Sequence, residues 1–252
     1  MTNKLIFSDL KTVALLLDVD GTLIDIGSTP SDVHVPSDLL LSLDQLIRLT
    51  GGAVALVSGR PIADLDRLFE PLQLPAIGGH GAEMRLDGEA FRTAAPLPVG
   101  LRKLLASVAT PGSGIIVEDK GYSLAIHYRA APHEKGRLSR HIAESVAGFP
   151  DEPLEVLPGK SMLEVKRPGI NKGSGVQELM KHPPFRNRKP IFIGDDVTDE
   201  SVFALLPGLG GEGFSVGREF QDLAGIFASP SEVRRTLQRL AENGGQGAEA
   251  VA

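Results

Sequence analysis

The chain has 252 residues, 42% of them hydrophobic, and a formal net charge of −6, enough length to bury one large core or two modest ones. Its 26 Lys and Arg are scattered among 32 Asp and Glu, which argues against nucleic acid or an anionic membrane surface as a partner. With no cysteine, disulfides and thiolate metal sites are excluded, and a metal would need oxygen or imidazole ligands.

Met1 to Lys11 lack the basic start and apolar core of a secretion signal, and no apolar run approaches about 18 residues, so a cytoplasmic protein is expected. Val13–Leu17 has the length and composition of a buried parallel strand, and it runs into Asp18-Val19-Asp20-Gly21-Thr22-Leu23. Residues one apart in an extended segment share a face, so Asp18 and Asp20 can converge on a cation or phosphate. Gly21 allows an unusual backbone angle and Thr22 offers amide donors to an anion. Taken alone, the same residues read equally well as a solvated turn.

Ser37–Leu49 repeats leucines at helical spacing behind Pro36, and Gly51-Gly52 ends it. Ala53–Val57 is a second buried strand closing in Ser58-Gly59-Arg60, with a helix expected from Pro61 through Phe69. Ala76–Glu83 reads as a third strand entering a glycine-rich loop. From about Phe91 the pattern changes to α+β. Helices are expected at 101–108 and 132–146, and strands at 114–118, 122–128, 154–157 and 161–166. A helix then opens at Lys172, and Pro190–Ile193 forms another buried strand ending in Gly194-Asp195-Asp196-Val197-Thr198-Asp199-Glu200. Residues 243–252, rich in Gly and Ala, are expected to form a flexible tail.

Three apolar strands therefore end in Asp18 with Asp20, in Ser58, and in Asp195, Asp196 and Asp199. In a parallel sheet these ends lie on one edge, where Lys172 can join them. Each element alone has an ordinary reading as a turn, a helix cap or a solvated charge. Their conjunction suits Mg²⁺, which takes a few carboxylates plus water and phosphate oxygens, with Ser58 and Lys172 holding the phosphate.

These four motifs resemble those of the haloacid dehalogenase superfamily of aspartate-nucleophile phosphotransferases. Leu56–Arg60, Gly79–Glu83, Pro158-Gly159-Lys160 with Glu164, Asn171-Lys172-Gly173 and Gly194–Glu200 are similar to the trehalose-6-phosphate phosphatases, over about Val13 to Val216. The resemblance implies an α/β fold: a Rossmann-like core with a mostly parallel sheet, residues 1–90 and 168–242, and an inserted α+β cap, residues 91–167. It implies Asp18 as nucleophile and Asp20 as the acid and base. Mg²⁺ would be held by Asp18, the Asp20 carbonyl and Asp195, with Asp196 and Asp199 behind it. Ser58, Lys172 and the amides near Gly21 and Thr22 would bind phosphate, and Arg60, His80, Glu118, Lys160 and Glu164 would complete the substrate site. Lys120 and Arg129 read as solvated charges and His127 as structural. The expected protein is a cytoplasmic monomer hydrolysing trehalose 6-phosphate, the last step of trehalose biosynthesis. Rival readings are a phosphatase for another sugar phosphate, such as sucrose phosphate, and a receiver-type phosphoacceptor. The receiver needs neither the Asp-x-Asp pair nor the insertion. The cap is expected to hinge near Phe91 and Pro168.

Overall fold

The computed structural model describes residues 9–27, 33–159 and 161–244. Two compact units emerge: one combines the residues up to Thr93 with those from Asn171 onward, and the other is Ala94–Ile170.

In the first unit, strand β1 (Val13–Leu17), helix α1 (Ser37–Thr50), strand β2 (Val54–Val57), helix α2 (Ile62–Leu68), and strands β3 (Ala76–Gly78), β4 (Glu83–Leu86) and β5 (Glu89–Arg92) follow one another. In the second unit come α3 (Val99–Ala106), β6 (Ile116–Asp119), β7 (Ser123–His127), α4 (Lys135–Ala147), β8 (Glu155–Gly159) and β9 (Met162–Lys166). The chain then resumes the first unit with α5 (Lys172–Leu179), β10 (Lys189–Gly194), α6 (Glu200–Phe203), β11 (Glu212–Val216), β12 (Gly225–Phe227) and α7 (Pro230–Glu242).

The large sheet has eight strands in the order β12-β11-β10-β1-β2-β3-β4-β5. Strands β12 through β3 are parallel, and β4 and β5 are antiparallel additions. β1 sits centrally and is wholly buried, so its apolar residues serve both faces. Leu15 and Leu17 join Leu43 and Leu46 of α1 and Val233 and Leu237 of α7 on one side. Ala14 and Leu16 join Val176 and Leu179 of α5 and Phe192 on the other. This is a three-layer α/β/α packing.

The second unit carries an antiparallel sheet in the order β6-β7-β9-β8. Leu124, Ile126, Leu163 and Val165 face a core completed by Leu101 and Leu105 of α3 and Leu138 and Ile142 of α4. The alternate residues form the other face, where Glu118, Ala125, Glu164 and Leu157 make one cross-strand row.

The glycine-rich stretch after β3 is a turn, Gly79–Gly81, and beyond it the chain returns antiparallel as β4 and β5. Asp87 and Gly88 both take positive φ, the geometry of a tight hairpin that the Asp-Gly pair favours. Because β5 pairs with β4, Phe91 belongs to the large sheet. The division between units accordingly falls after Thr93 and Ile170, three residues beyond each boundary read from the sequence. Of the expected tail, only Asn243 and Gly244 are among the described residues.

A Cβ at Gly88 would meet nothing within 4 Å, yet φ is +80°. Gly88→Ala should therefore lose about 1–2 kcal/mol from backbone strain alone. Urea unfolding should show a lower midpoint with an unchanged slope, and an unchanged midpoint would contradict this turn.

Candidate active site

Parallel pairing aligns Leu17 of β1 with Leu56 of β2 and Ile193 of β10, so all three strands release their polar ends on one edge. α5 begins at the same edge. Its cap is local: Asn171 accepts from the Ser174 amide at 2.9 Å, and the Ser174 hydroxyl accepts from the Asn171 amide at 3.1 Å. This fixes Lys172, the first helical residue, and points it inward.

Lys172 is 3% exposed and Asp18 also 3%, while Asp199 is fully buried. The Lys172 ammonium donates to Asp18 Oδ1 at 2.7 Å and to Asp199 Oδ1 at 2.6 Å. Burial works against its charge, but the two carboxylates outweigh burial and hold the ammonium above its ordinary value. Asp199 Oδ2 accepts from the Asp195 and Asp196 amides at 2.9 and 3.0 Å, so both Asp199 oxygens are engaged. Asp199 ties Lys172 to the turn after β10.

Asp195 is half-buried, and one carboxyl oxygen each of Asp195, Asp18 and Asp199 lie within 4.8 Å of one another. Burial, then the charge of Asp18, pushes Asp195 up to about 7. The same two causes push Asp199 up to about 6, against the pull of Lys172. Asp196 is exposed.

Gly21 takes φ +81°, and a Cβ there would collide with the Asp195 carboxylate, so glycine lets this acid approach the turn after β1. The Gly21 amide donates to the Ile24 carbonyl at 2.8 Å and the Thr22 amide to the Val19 carbonyl at 3.3 Å. These two amides, expected to face an anion, are used within the turn. The Thr22 hydroxyl lies 3.5 Å from Asp195 Oδ1.

Asp20 is not one of the three clustered acids. Arg60 grips it through two bonds, Nε to Oδ2 at 2.7 Å and Nη2 to Oδ1 at 2.6 Å. That hydrogen bonding raises the guanidinium further above its ordinary value. The buried Ser58 hydroxyl accepts from the Arg60 amide at 3.1 Å. His80 donates its amide to the Ser58 carbonyl at 3.0 Å and lays its ring over Gly59. The Asp20–Arg60 pairing is not legible in the sequence, since 40 positions separate the partners.

In the second unit, Glu118 and Glu164 stand on one face, flanking Ala125 in a cross-strand row. Glu118 also approaches Lys120 at 3.4 Å and His127 at 3.3 Å, so His127 shares the polar face of this sheet. Lys160 lies outside the described residues.

The donor set fits a hard divalent cation. Three carboxylates cluster where one ammonium meets two of them, all candidate ligands are oxygens, and Asp18 Oδ2 is buried without a hydrogen-bond donor. Asp18 and Asp195 have oxygens to offer, whereas those of Asp199 are taken.

A sequence model of the family described as trehalose-phosphatase matches residues 16–220. A protein of Sinorhizobium fredii named probable trehalose-phosphate phosphatase is 40% identical over 214 residues, covering 83% of this chain and 80% of its own. The Escherichia coli trehalose-6-phosphate phosphatase is 36% identical over 207 residues, covering 81% and 77%. Among solved structures, the C-terminal domain of trehalose-6-phosphate phosphatase from C. albicans superposes with a TM-score of 0.73 at 23% identity, covering 92% of this chain and 93% of that one.

Asp195 and Asp199 hold protons at higher pH folded than unfolded, where their value is 3.8. Each therefore contributes stability that is complete below about pH 4 and lost as pH rises through about 6 to 7. Without metal, Asp195→Asn should melt higher than the parent at pH 8, differ little at pH 5, and gain less from added divalent cation. A lower melting temperature for the variant at pH 8 in chelator would refute the repulsion.

Proposed function

The chain belongs to the trehalose-phosphatase family, phosphoric monoester hydrolases acting on trehalose 6-phosphate, and we propose how its own residues divide that reaction. The observation that carries the assignment is the buried Asp18–Lys172–Asp199 triad with Asp195 beside it, at the edge where three strands end.

Asp18 is the nucleophile. One carboxylate oxygen attacks phosphorus, the bond from phosphorus to the sugar oxygen breaks, and Asp20 supplies that oxygen with a proton. Water then attacks the aspartyl-phosphate, Asp20 takes its proton, the Asp18–phosphorus bond breaks, and orthophosphate leaves. Lys172 orients Asp18 and meets the charge of the phosphoryl oxygens, and Ser58 donates its hydroxyl to one of them. Asp18, the Asp20 carbonyl and Asp195 would hold Mg²⁺, which when bound would offset the repulsion between the anionic nucleophile and the phosphate dianion. Asp199 supports Lys172 and Asp195, and Asp196 orients water from the exposed side.

The second unit, 94–170, is the cap that selects the sugar. Glu118 and Glu164, two strands apart across a small alanine, present acceptors about 10 Å from each other, a spacing suited to a disaccharide rich in hydroxyls. By the family resemblance, Lys160 is a further candidate for binding the sugar, and His80 is a separate candidate in the first unit. Among the described residues no helix is long and apolar enough to cross a membrane. The proposal takes the protein as a cytoplasmic monomer, and the scattered basic residues argue against a nucleic-acid partner.

Phosphate release from trehalose 6-phosphate should require Mg²⁺, stop on chelation, and exceed release from glucose 6-phosphate and sucrose 6-phosphate. Equal turnover of all three would remove the trehalose assignment. Asp18→Asn and Asp20→Asn should each lower kcat by about 100-fold or more. A receiver-type phosphoacceptor would instead still take up phosphoryl groups with Asn at position 20.

A further inference from the structure

Arg60 delivers two short bonds to Asp20, so the position of its backbone sets where the proton carrier stands. That backbone lies in the turn Ser58–Pro61 between β2 and α2, and the segment from the end of β3 to the start of β4 holds this turn and the helix start behind it at three points. The Gly79 amide donates to the Arg60 carbonyl at 2.9 Å and the His80 amide to the Ser58 carbonyl at 3.0 Å. The third point is a side chain. Glu83, the first residue of β4, reaches across to accept from the Ile62 amide through Oε2 at 2.8 Å.

The third anchor answers a local need. α2 starts behind Pro61, which makes no side-chain cap, so the Ile62 amide has no acceptor in its own segment. Glu83 is in turn fixed by its strand, where it pairs with Gly78 of β3 and Arg92 of β5. A rigid sheet position thus holds the far end of the turn that carries both Ser58 and Arg60.

We propose that Glu83 is a positioning residue for the phosphatase reaction, acting through Arg60 to place Asp20. Without its carboxylate the start of α2 relaxes, the Arg60 guanidinium leaves its two-point match, and Asp20 is no longer held in register. A planar fork on a carboxylate tolerates little displacement, and a shift of about 1 Å at such a point costs up to about 100-fold in rate. Both half-reactions use Asp20. With a leaving group that needs no proton, however, only the hydrolysis of the aspartyl-phosphate suffers.

This inference rests on Asp18 as nucleophile and Asp20 as proton carrier, and p-nitrophenyl phosphate with Mg²⁺ in a stopped-flow instrument separates the two claims. Asp20→Asn should release about one equivalent of p-nitrophenol in a burst and then turn over slowly. If it shows no burst, the mechanism falls and the inference with it. Glu83→Ala should give the same burst, lower steady-state kcat on trehalose 6-phosphate about 10- to 100-fold with KM nearly unchanged, and keep its melting temperature within a few degrees. Glu83→Gln, which retains an acceptor oxygen, should restore most of the activity. Glu83→Asp, whose carboxylate is too short to reach, should show the split at smaller size and stands in if the alanine variant does not fold. Combining Glu83→Ala with Arg60→Ala should lose no more than Arg60→Ala alone. A burst-free Glu83→Ala or Glu83→Asp with parental kcat, an equally impaired Glu83→Gln, or additive losses in the double variant would each overturn the assignment.

Discussion

Everything at the sheet edge depends on one ammonium held between two carboxylates in a space that excludes water. Lys172 touches Asp18 and Asp199 at 2.7 and 2.6 Å, and all three are almost fully buried. Removing any partner from such a group leaves an uncompensated buried charge, which is far more costly than the net worth of the pair. The elements that carry it are therefore fixed relative to each other: β1 through Asp18, α5 through Lys172, and the turn after β10 through Asp199. The second oxygen of Asp199 extends this constraint to the Asp195 and Asp196 amides.

The cluster is also left unbalanced. Three carboxylates cluster where one ammonium meets two of them, and the raised values of Asp195 and Asp199 express that excess. A fold selected only for stability would replace Asp195 with a neutral residue. The arrangement makes sense where a cation and then a phosphate enter, because the same repulsion becomes affinity for the metal. Asp18 and Asp20 illustrate how different the environments of two identical side chains one residue apart can be. Asp18 is sealed beside Lys172, whereas Asp20, with its side chain 36% exposed, is gripped by Arg60.

The helical and strand periods made much of the core legible. The unbroken apolar run of β1, the leucine spacing of α1 and the short runs of β2 and β10 each required burial that only a covered parallel sheet provides. The β4–β5 hairpin was harder to read, because every residue of β5 is exposed and no alternation marks it. Only Asp87-Gly88 signals the turn. Likewise, His127 alternates with apolar neighbours and reads as structural, yet the register sets it beside Glu118 on the polar face.

By itself the sequence determined the kinds of groups at the sheet edge, since acids, a hydroxyl and a lysine at strand ends and a helix start follow from local pattern. It also determined that no thiolate takes part. Only the tertiary structure decided the pairings. That Lys172 bridges Asp18 and Asp199, that Arg60 holds Asp20, that the Gly21 and Thr22 amides turn inward, and that Glu83 caps a helix 21 residues earlier depend on packing distances between segments far apart in the chain. Local propensity fixes where a side chain leaves the backbone. Which partner it meets is set by strand register and by how closely the helices approach, and both are properties of the assembled core.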